Sequence, residues 1–381
     1  MTRIVFAGGG TGGHLYPGIA IARALRRLDS SVEPFFVGAI RGIERDVLPK
    51  TEFPHLLLDL HPLYRRAIWK NWLTMTRAFG AWSRIGAMVQ EERPAVVVGT
   101  GGYAAGLMLA YSVVHRIPIV QQAGDSLPGL TARVFSRWSR EIYLNFPEAA
   151  RVLDSHHEGS LIDTGAPIEP PPSPRPDRAA ARTAWSFPER GGRVLLIYGG
   201  SQGSLAINRV VAEWIDRGLP ENLYVIWATG RATYEQFKHC EGARVRVRDY
   251  LAPIADAYAP ADLALARAGA MTTAELFSWG IPAVLVPLPT AAADHQTTNA
   301  VTLERAGAAI CLPQAQLTVE RLDGTIRRLL DSPAELQRLA TGASQRARPN
   351  AADEIARRIL SLIDQSPDRR LDHSSSSPIA T

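Results

Sequence analysis

Short, continuously apolar runs alternate with longer stretches of helical patterning along most of this chain, and one proline-dense break splits that rhythm in two. The runs read as strands at Ile4–Ala7, Pro34–Val37, Ala95–Val98, Ile119–Gln121, Glu141–Leu144, Val194–Tyr198, Leu223–Ala228, Val245–Arg248, Leu263–Ala266 and Ala283–Val286. Several lack polar alternation, as parallel strands covered on both faces do. Helical runs fall between them, among them Pro17–Leu28, Asn71–Glu92, Leu205–Asp216 and Met271–Trp279. Alternating β and α predicts an α/β architecture of doubly wound parallel sheets. The break is Ala166–Arg178, with Pro170-Pro171-Pro172 and further prolines, which neither a helix nor an inner strand accepts. It marks a linker between residues 1–166 and residues 167–349. A helical stretch, Ala351–Asp364, follows, and the serine-rich tail at 365–381 is predicted to be disordered.

A length of 381 residues suits two cores of ordinary size. The two cysteines, Cys240 and Cys311, are far apart and in no C-x-x-C spacing, which argues against a disulfide framework or zinc site and fits a reducing cytosol. Net charge is +5, and only Lys50, Lys70 and Lys238 are lysines, so the excess is arginine. A basic balance suits phosphates, nucleic acid or anionic lipid, and a genome rich in arginine codons gives the same excess. No apolar stretch reaches the ~20 residues that a membrane span needs. The longest, Tyr103–Val114, reads as a buried helix, so membrane contact is expected to be peripheral.

Glycine-rich loops follow the strands in both halves. Gly8-Gly9-Gly10-Thr11-Gly12-Gly13-His14 matches G-x-G-x-x-G and precedes a helix opened by Pro17, a good first-turn residue. Gly99-Thr100-Gly101-Gly102 follows the strand at Ala95, and Gly199-Gly200-Ser201-Gln202-Gly203-Ser204 follows the strand at Val194. Such loops let the N–H groups of a helix N-terminus approach a phosphate. A dinucleotide site also wants an acid at the end of the second strand, and that strand closes on Val37-Gly38-Ala39. The dehydrogenase reading is therefore disfavoured. A fourth segment, Arg267–Glu275, opens a helix with Met271, Thr272 and Thr273 in its first turn. The Glu275 carboxylate suits a ribose diol; complementing the helix dipole is the simpler alternative.

The strings F-A-G-G-G-T-G-G-H-L-Y-P-G from Phe6, V-G-T-G-G-Y from Val98, P-G-L-T from Pro128, G-G-S-Q-G from Gly199, R-A-G-A-M-T from Arg267 and D-H-Q-x-x-N-A from Asp294 resemble the MurG family in order and spacing. The resemblance covers residues 1 to about 360. It implies a GT-B fold: two Rossmann-like domains facing a deep cleft, with a C-terminal helix at about 350–364 packing back on the first. It implies an inverting, metal-independent transferase without a cofactor, whose substrate UDP-GlcNAc gives its sugar to undecaprenyl-linked lipid I to form lipid II.

By the same resemblance the second domain binds the donor. Leu251 backbone would meet uracil and Glu275 the ribose. Gly200, Ser201, Gln202, Arg267, Met271 and Thr272 would lie near the diphosphate, and His295 and Gln296 near the sugar. Thr11, Gly12, Gly13, Gly101, Gly102, Tyr103 and Asp125 would face the acceptor and its pyrophosphate. His14 is the candidate base; holding the acceptor by a hydrogen bond is its other possible role. Arg65, Arg66, Trp69, Lys70, Trp72, Leu73 and Phe79 form a candidate patch for an anionic inner-membrane surface on the cytoplasmic face, or the outer side of a helix packed on its own sheet. No nucleic-acid partner is expected.

The chain departs from the family pattern in three places. The family's H-E-Q-N stands as Gln122-Ala123-Gly124-Asp125, its Asn after P-G-L-T is Ala132, and its G-N-P-V-R is Gly165-Ala166-Pro167-Ile168-Glu169. These leave open a different acceptor, a UDP-GlcNAc 2-epimerase on the same scaffold, or a non-catalytic paralogue.

Overall fold

The structure is a computed structural model that describes residues 1–60, 71–153, 160–200 and 202–365, with side chains from residue 79 onward in the helix Asn71–Glu92. The chain divides into two compact units, Met1–Ile168 together with the chain from Asn350 on, and Glu169–Pro349. The division falls just past residue 166 because Ala166 and Ile168 are both buried, at 2% exposure each.

The first unit is built on a sheet of β1 (Thr2–Gly8), β2 (Val32–Ala39), β3 (His55–Leu58), β4 (Val96–Gly101), β5 (Ile119–Ala123), β6 (Ser139–Leu144) and β7 (Leu161–Asp163), in the order β3-β2-β1-β4-β5-β6-β7. The second has β8 (Arg193–Tyr198), β9 (Leu223–Ala228), β10 (Val245–Arg248), β11 (Leu263–Ala266), β12 (Ala283–Leu285) and β13 (Ala309–Cys311), in the order β10-β9-β8-β11-β12-β13. Every ladder is parallel. In each unit the strand order reverses once, between β1 and β4 and between β8 and β11. Loops leaving the carboxyl ends of those two pairs diverge to opposite faces and leave a crevice where α/β sheets take ligands. The three strands that sequence reading missed, β3, β7 and β13, are edge strands of three or four residues, too short to carry a periodic signal.

The helix Gly12–Leu28 buries Leu15, Ile19, Ala22 and Leu25, a stripe at helical spacing. The helix Ala351–Asp364 lies against it within the first unit and adds Ile355, Ile359 and Ile363 to the same cluster. Arg27 pairs with Asp353, and the Arg358 guanidinium donates two hydrogen bonds to Glu141 at 2.9 and 2.7 Å. A planar fork on a carboxylate fixes orientation as well as distance. On the helix Asn71–Glu92, Ala81, Ile85 and Met88 face the core, whereas Phe79 is 80% exposed. No helix among the described residues is long and apolar enough to cross a membrane.

Candidate active site

In the first unit the reversal between β1 and β4 brings the loops at 8–14 and 99–102 into contact. The Gly9 amide donates to the Gly101 carbonyl at 3.3 Å. Gly102 has φ +78°, and a Cβ there would stand 2.1 Å from the Gly9 carbonyl oxygen, so both backbone conformation and space demand glycine. His14, in the first turn of the Gly12–Leu28 helix, covers this junction: a Cβ on Gly101 would come within 2.7 Å of its ring. The Thr11 hydroxyl meets His14 Nδ1 at 3.2 Å. Tyr103 is half-buried, with its ring edge 3.0 Å from where a Gly10 Cβ would sit. The Thr131 hydroxyl donates to the Gly102 carbonyl at 3.2 Å, and Asn145 Nδ2 donates to the Gly124 carbonyl at 3.0 Å, beside Asp125. Thr11, Gly12, Gly13, His14, Gly101, Gly102 and Tyr103 thus gather at the β1–β4 switch point, and Asp125 follows the neighbouring β5.

Sequence reading missed Glu44. It follows β2 by five residues and folds back, fully buried, so that its Oε1 accepts from the Ala39 amide at 3.1 Å. A Cβ on Gly9 would lie 1.7 Å from Glu44 Oε1, and one on Gly42 1.9 Å from Oε2. A search confined to the end of the strand could not find an acid supplied by the next helical turn. A dinucleotide site presents its acid to a ribose; this one is sealed beneath the glycine loop. Burial and the Glu44 charge push the Tyr103 phenol above its ordinary range, against a smaller opposing effect of Arg41.

The departures at Ala123 and Ala132 have a common setting. Both side chains are buried in one small apolar cluster with Ile142, Leu144, Ala149 and Leu153.

In the second unit the reversal between β8 and β11 places the loop at 199–204 beside the segment 267–272. Ser204 caps the helix Leu205–Arg217, accepting from the Ile207 amide at 3.4 Å. Gly200 has φ +87° and open space where a Cβ would be. Gln202 is exposed, and Ser201 lies outside the described residues. Arg267 was expected near the phosphates; the structure commits its terminal nitrogens elsewhere. Nη1 donates to the Val286 and Pro287 carbonyls at 3.0 Å each, and Nη2 donates to Ser204 Oγ and Gln314 Oε1 at 2.7 Å each. Burial lowers the Arg267 pKa from its ordinary value.

The helix Ala270–Ser278 starts at Gly269, where Met271 and Thr272 occupy its first turn with both side chains partly exposed. One turn on, Glu275 Oε2 accepts from the Tyr258 hydroxyl at 2.8 Å, and Tyr258 meets the Tyr198 hydroxyl at 3.1 Å. Burial raises the Glu275 carboxyl above the usual carboxylate range, the Tyr258 hydrogen bond pulls it down, and the Glu169 charge pushes it up. Glu169 itself is exposed and has no ion pair with a described residue. The position where the family pattern has an arginine therefore bears on the charge of Glu275.

Ala293 and Asp294 both have left-handed backbone, φ 53° and 55°, at the entry to the helix His295–Arg305. Such residues cost about 1–3 kcal/mol each and persist where surrounding contacts hold them. Here Thr297 Oγ1 donates to Asp294 Oδ1 at 2.6 Å, and Asn299 Nδ2 donates to the Ala268 carbonyl at 3.2 Å. The strained turn sets His295 and Gln296 in the first turn of that helix. Gln296 Oε1 accepts from the Leu288 amide at 3.0 Å, which leaves its amide NH₂ as the outward donor. Leu251 is buried just after β10, an edge strand. Arg65, Arg66, Trp69 and Lys70 lie outside the described residues, and Trp72 and Leu73 are placed only as backbone of the helix Asn71–Glu92.

The chain matches the glycosyltransferase family 28 N-terminal domain over residues 4–144 and the family 28 C-terminal domain over residues 194–355. It is 40% identical over 369 residues to the UDP-N-acetylglucosamine--N-acetylmuramyl-(pentapeptide) pyrophosphoryl-undecaprenol N-acetylglucosamine transferase of Salinibacter ruber, covering 95% of this chain and 97% of that one. The protein of the same name from Carboxydothermus hydrogenoformans is 36% identical over 363 residues, with 93% and 95% covered. Among solved structures, Acinetobacter baumannii MurG superposes with a TM-score of 0.75 at 25% identity, covering 95% of this chain and all of that one. A UDP-N-acetylglucosamine 2-epimerase shares the fold alone, at 12% identity and a TM-score of 0.63 over 96% of this chain and 97% of that one. With two parallel doubly wound sheets, motif residues gathered at both switch points and these full-length matches, the chain has the GT-B fold and belongs to the MurG family of glycosyltransferase family 28.

Proposed function

We propose that this chain is a hexosyltransferase that moves N-acetylglucosamine from UDP-GlcNAc to the undecaprenyl-pyrophosphoryl MurNAc-pentapeptide acceptor, lipid I, and so makes lipid II. The observation that carries the reading is the gathering of His14 and two glycine loops at the switch point of a unit that matches the family. With its proton on Nδ1 toward Thr11, the neutral His14 imidazole offers Nε2 to the acceptor hydroxyl. That oxygen attacks the anomeric carbon, the bond to the β-phosphate oxygen breaks, and UDP leaves carrying the charge. Free N–H groups at the start of the helix Ala270–Ser278 face that charge, and no metal is required. Glu275 accepts the ribose hydroxyls, and Gln296 donates to the sugar. Phe79 and the arginine- and tryptophan-bearing segment before it rest on the anionic cytoplasmic face of the inner membrane.

The deciding assay supplies purified protein with UDP-GlcNAc and lipid I and measures lipid II. UDP release with no lipid acceptor present points instead to epimerase chemistry.

Two results are expected at the donor site. Glu275→Ala weakens UDP binding about tenfold or more, since hydrogen bonds to a charged group contribute ~1.5–3 kcal/mol. Calorimetry that finds unchanged affinity removes Glu275 from the site. Glu169→Gln takes away a charge that raises the Glu275 carboxyl. The diol needs the ionised form, so UDP affinity falls as pH drops through the Glu275 pKa, and in Glu169→Gln that fall moves to lower pH. A titration in which the two proteins coincide at every pH shows that Glu169 does not act on Glu275.

A further inference from the structure

We infer that Tyr258 and Tyr198 form an ordered hydrogen-bond relay that holds Glu275 as the ribose acceptor. The inference rests on the donor-site reading above and adds positioning residues to it.

The direction of the protons follows from counting them. An ionised carboxylate only accepts, so the single Tyr258 hydroxyl proton goes to Glu275 Oε2, at 2.8 Å. Tyr258 then has only lone pairs for Tyr198, 3.1 Å away, and Tyr198 must donate. The order is Tyr198 to Tyr258 to Glu275. Both tyrosines are buried, at 5% and 3% exposure, so water does not compete for these bonds. Both phenols are pushed above their ordinary range, chiefly by burial and with the Glu275 charge contributing, so they act as neutral donors.

One consequence concerns the donor. Tyr258 occupies Oε2 and locks the carboxylate plane, which leaves Oε1 and the outer lone pair of Oε2 for the diol. The groups that act on the charge of Glu275 are Tyr258, through its hydrogen bond, and Glu169.

The test uses the full chain, calorimetry, and two probes, UDP and uridine. Tyr258→Phe is expected to weaken both probes ~2- to 10-fold, the size of one net hydrogen bond. It also moves the acid-side fall in affinity to higher pH, because the bond that pulls the Glu275 carboxyl down is gone. Tyr198→Phe acts in the same direction, less strongly. In a Glu275→Ala background, Tyr258→Phe is expected to add nothing; a merely structural tyrosine adds its full effect there. Additive losses in Tyr258→Phe with Glu275→Ala, or an unshifted pH profile, overturn the relay while the donor-site reading stands. Unchanged affinity in Glu275→Ala alone overturns the donor-site reading, and the relay with it.

Discussion

Replacing His14 with alanine is expected to lower lipid II formation by ~10²-fold or more at saturating substrates, while UDP affinity stays within about twofold. General-base catalysis contributes ~10²–10⁴-fold, and the carboxylate beside Gly9, Glu44, is fully buried beneath the loop. Thr11 orients the ring through its contact with Nδ1. Thr11→Val should therefore reproduce part of the loss, also in kcat. The measurement is the initial rate of labelled GlcNAc incorporation, with calorimetric UDP binding as control. A variant that turns over near the parent rate shows that His14 only holds the acceptor.

Replacing Arg267 with methionine is expected to cost about 3 kcal/mol or more of stability in urea denaturation. Three buried acceptors, the Val286 and Pro287 carbonyls and Ser204 Oγ, and the partly buried Gln314 Oε1 lose their donor at once. Each unsatisfied buried group costs ~1–3 kcal/mol, partly recovered where water enters. Ser204 is also the cap of the helix that follows the loop at 199–204, so the loop loses an anchor with the arginine. Arg267→Lys should rescue little, because an ammonium cannot present a planar fork to acceptors on two sides. The opposite pattern, a stable Arg267→Met protein that has lost UDP, makes Arg267 a phosphate ligand and not a clamp.

The departures from the family pattern show how far residue types alone go. At Glu169 the sequence gives a carboxylate where an arginine is expected, and the simple expectation is repulsion from a phosphate. The fold adds the neighbour that matters, Glu275, whose carboxyl the Glu169 charge raises. At Ala123 and Ala132 the sequence gives two separate losses; the fold makes them one change inside one apolar cluster. Arg267 is the reverse case: its place in R-A-G-A-M-T puts it beside the donor, and only packing decides that its nitrogens face inward. Glu44 and the Tyr198–Tyr258 pair carry no motif at all. Tyr198 and Tyr258 are sixty residues apart and meet because β8 and β11 are paired in register, Tyr198 opposite Ala266.

The sequence by itself determined the α/β class, the inner strands and the glycine loops, because these rest on local signals. Apolar runs mark strands covered on both faces, and glycine is required wherever a strand turns sharply into a helix against another backbone. It also determined the family, since motif order along a chain is a one-dimensional property. Strand order was decided only in three dimensions, and with it which loops meet. Pairing β1 with β4, and β8 with β11, brings together loops that lie about ninety and seventy residues apart in the chain, and places His14 against Gly101 and Tyr258 against Glu275. Hydrogen-bond direction was likewise beyond the sequence, because whether a polar side chain serves a ligand or the protein depends on which acceptors the packed fold leaves within its reach.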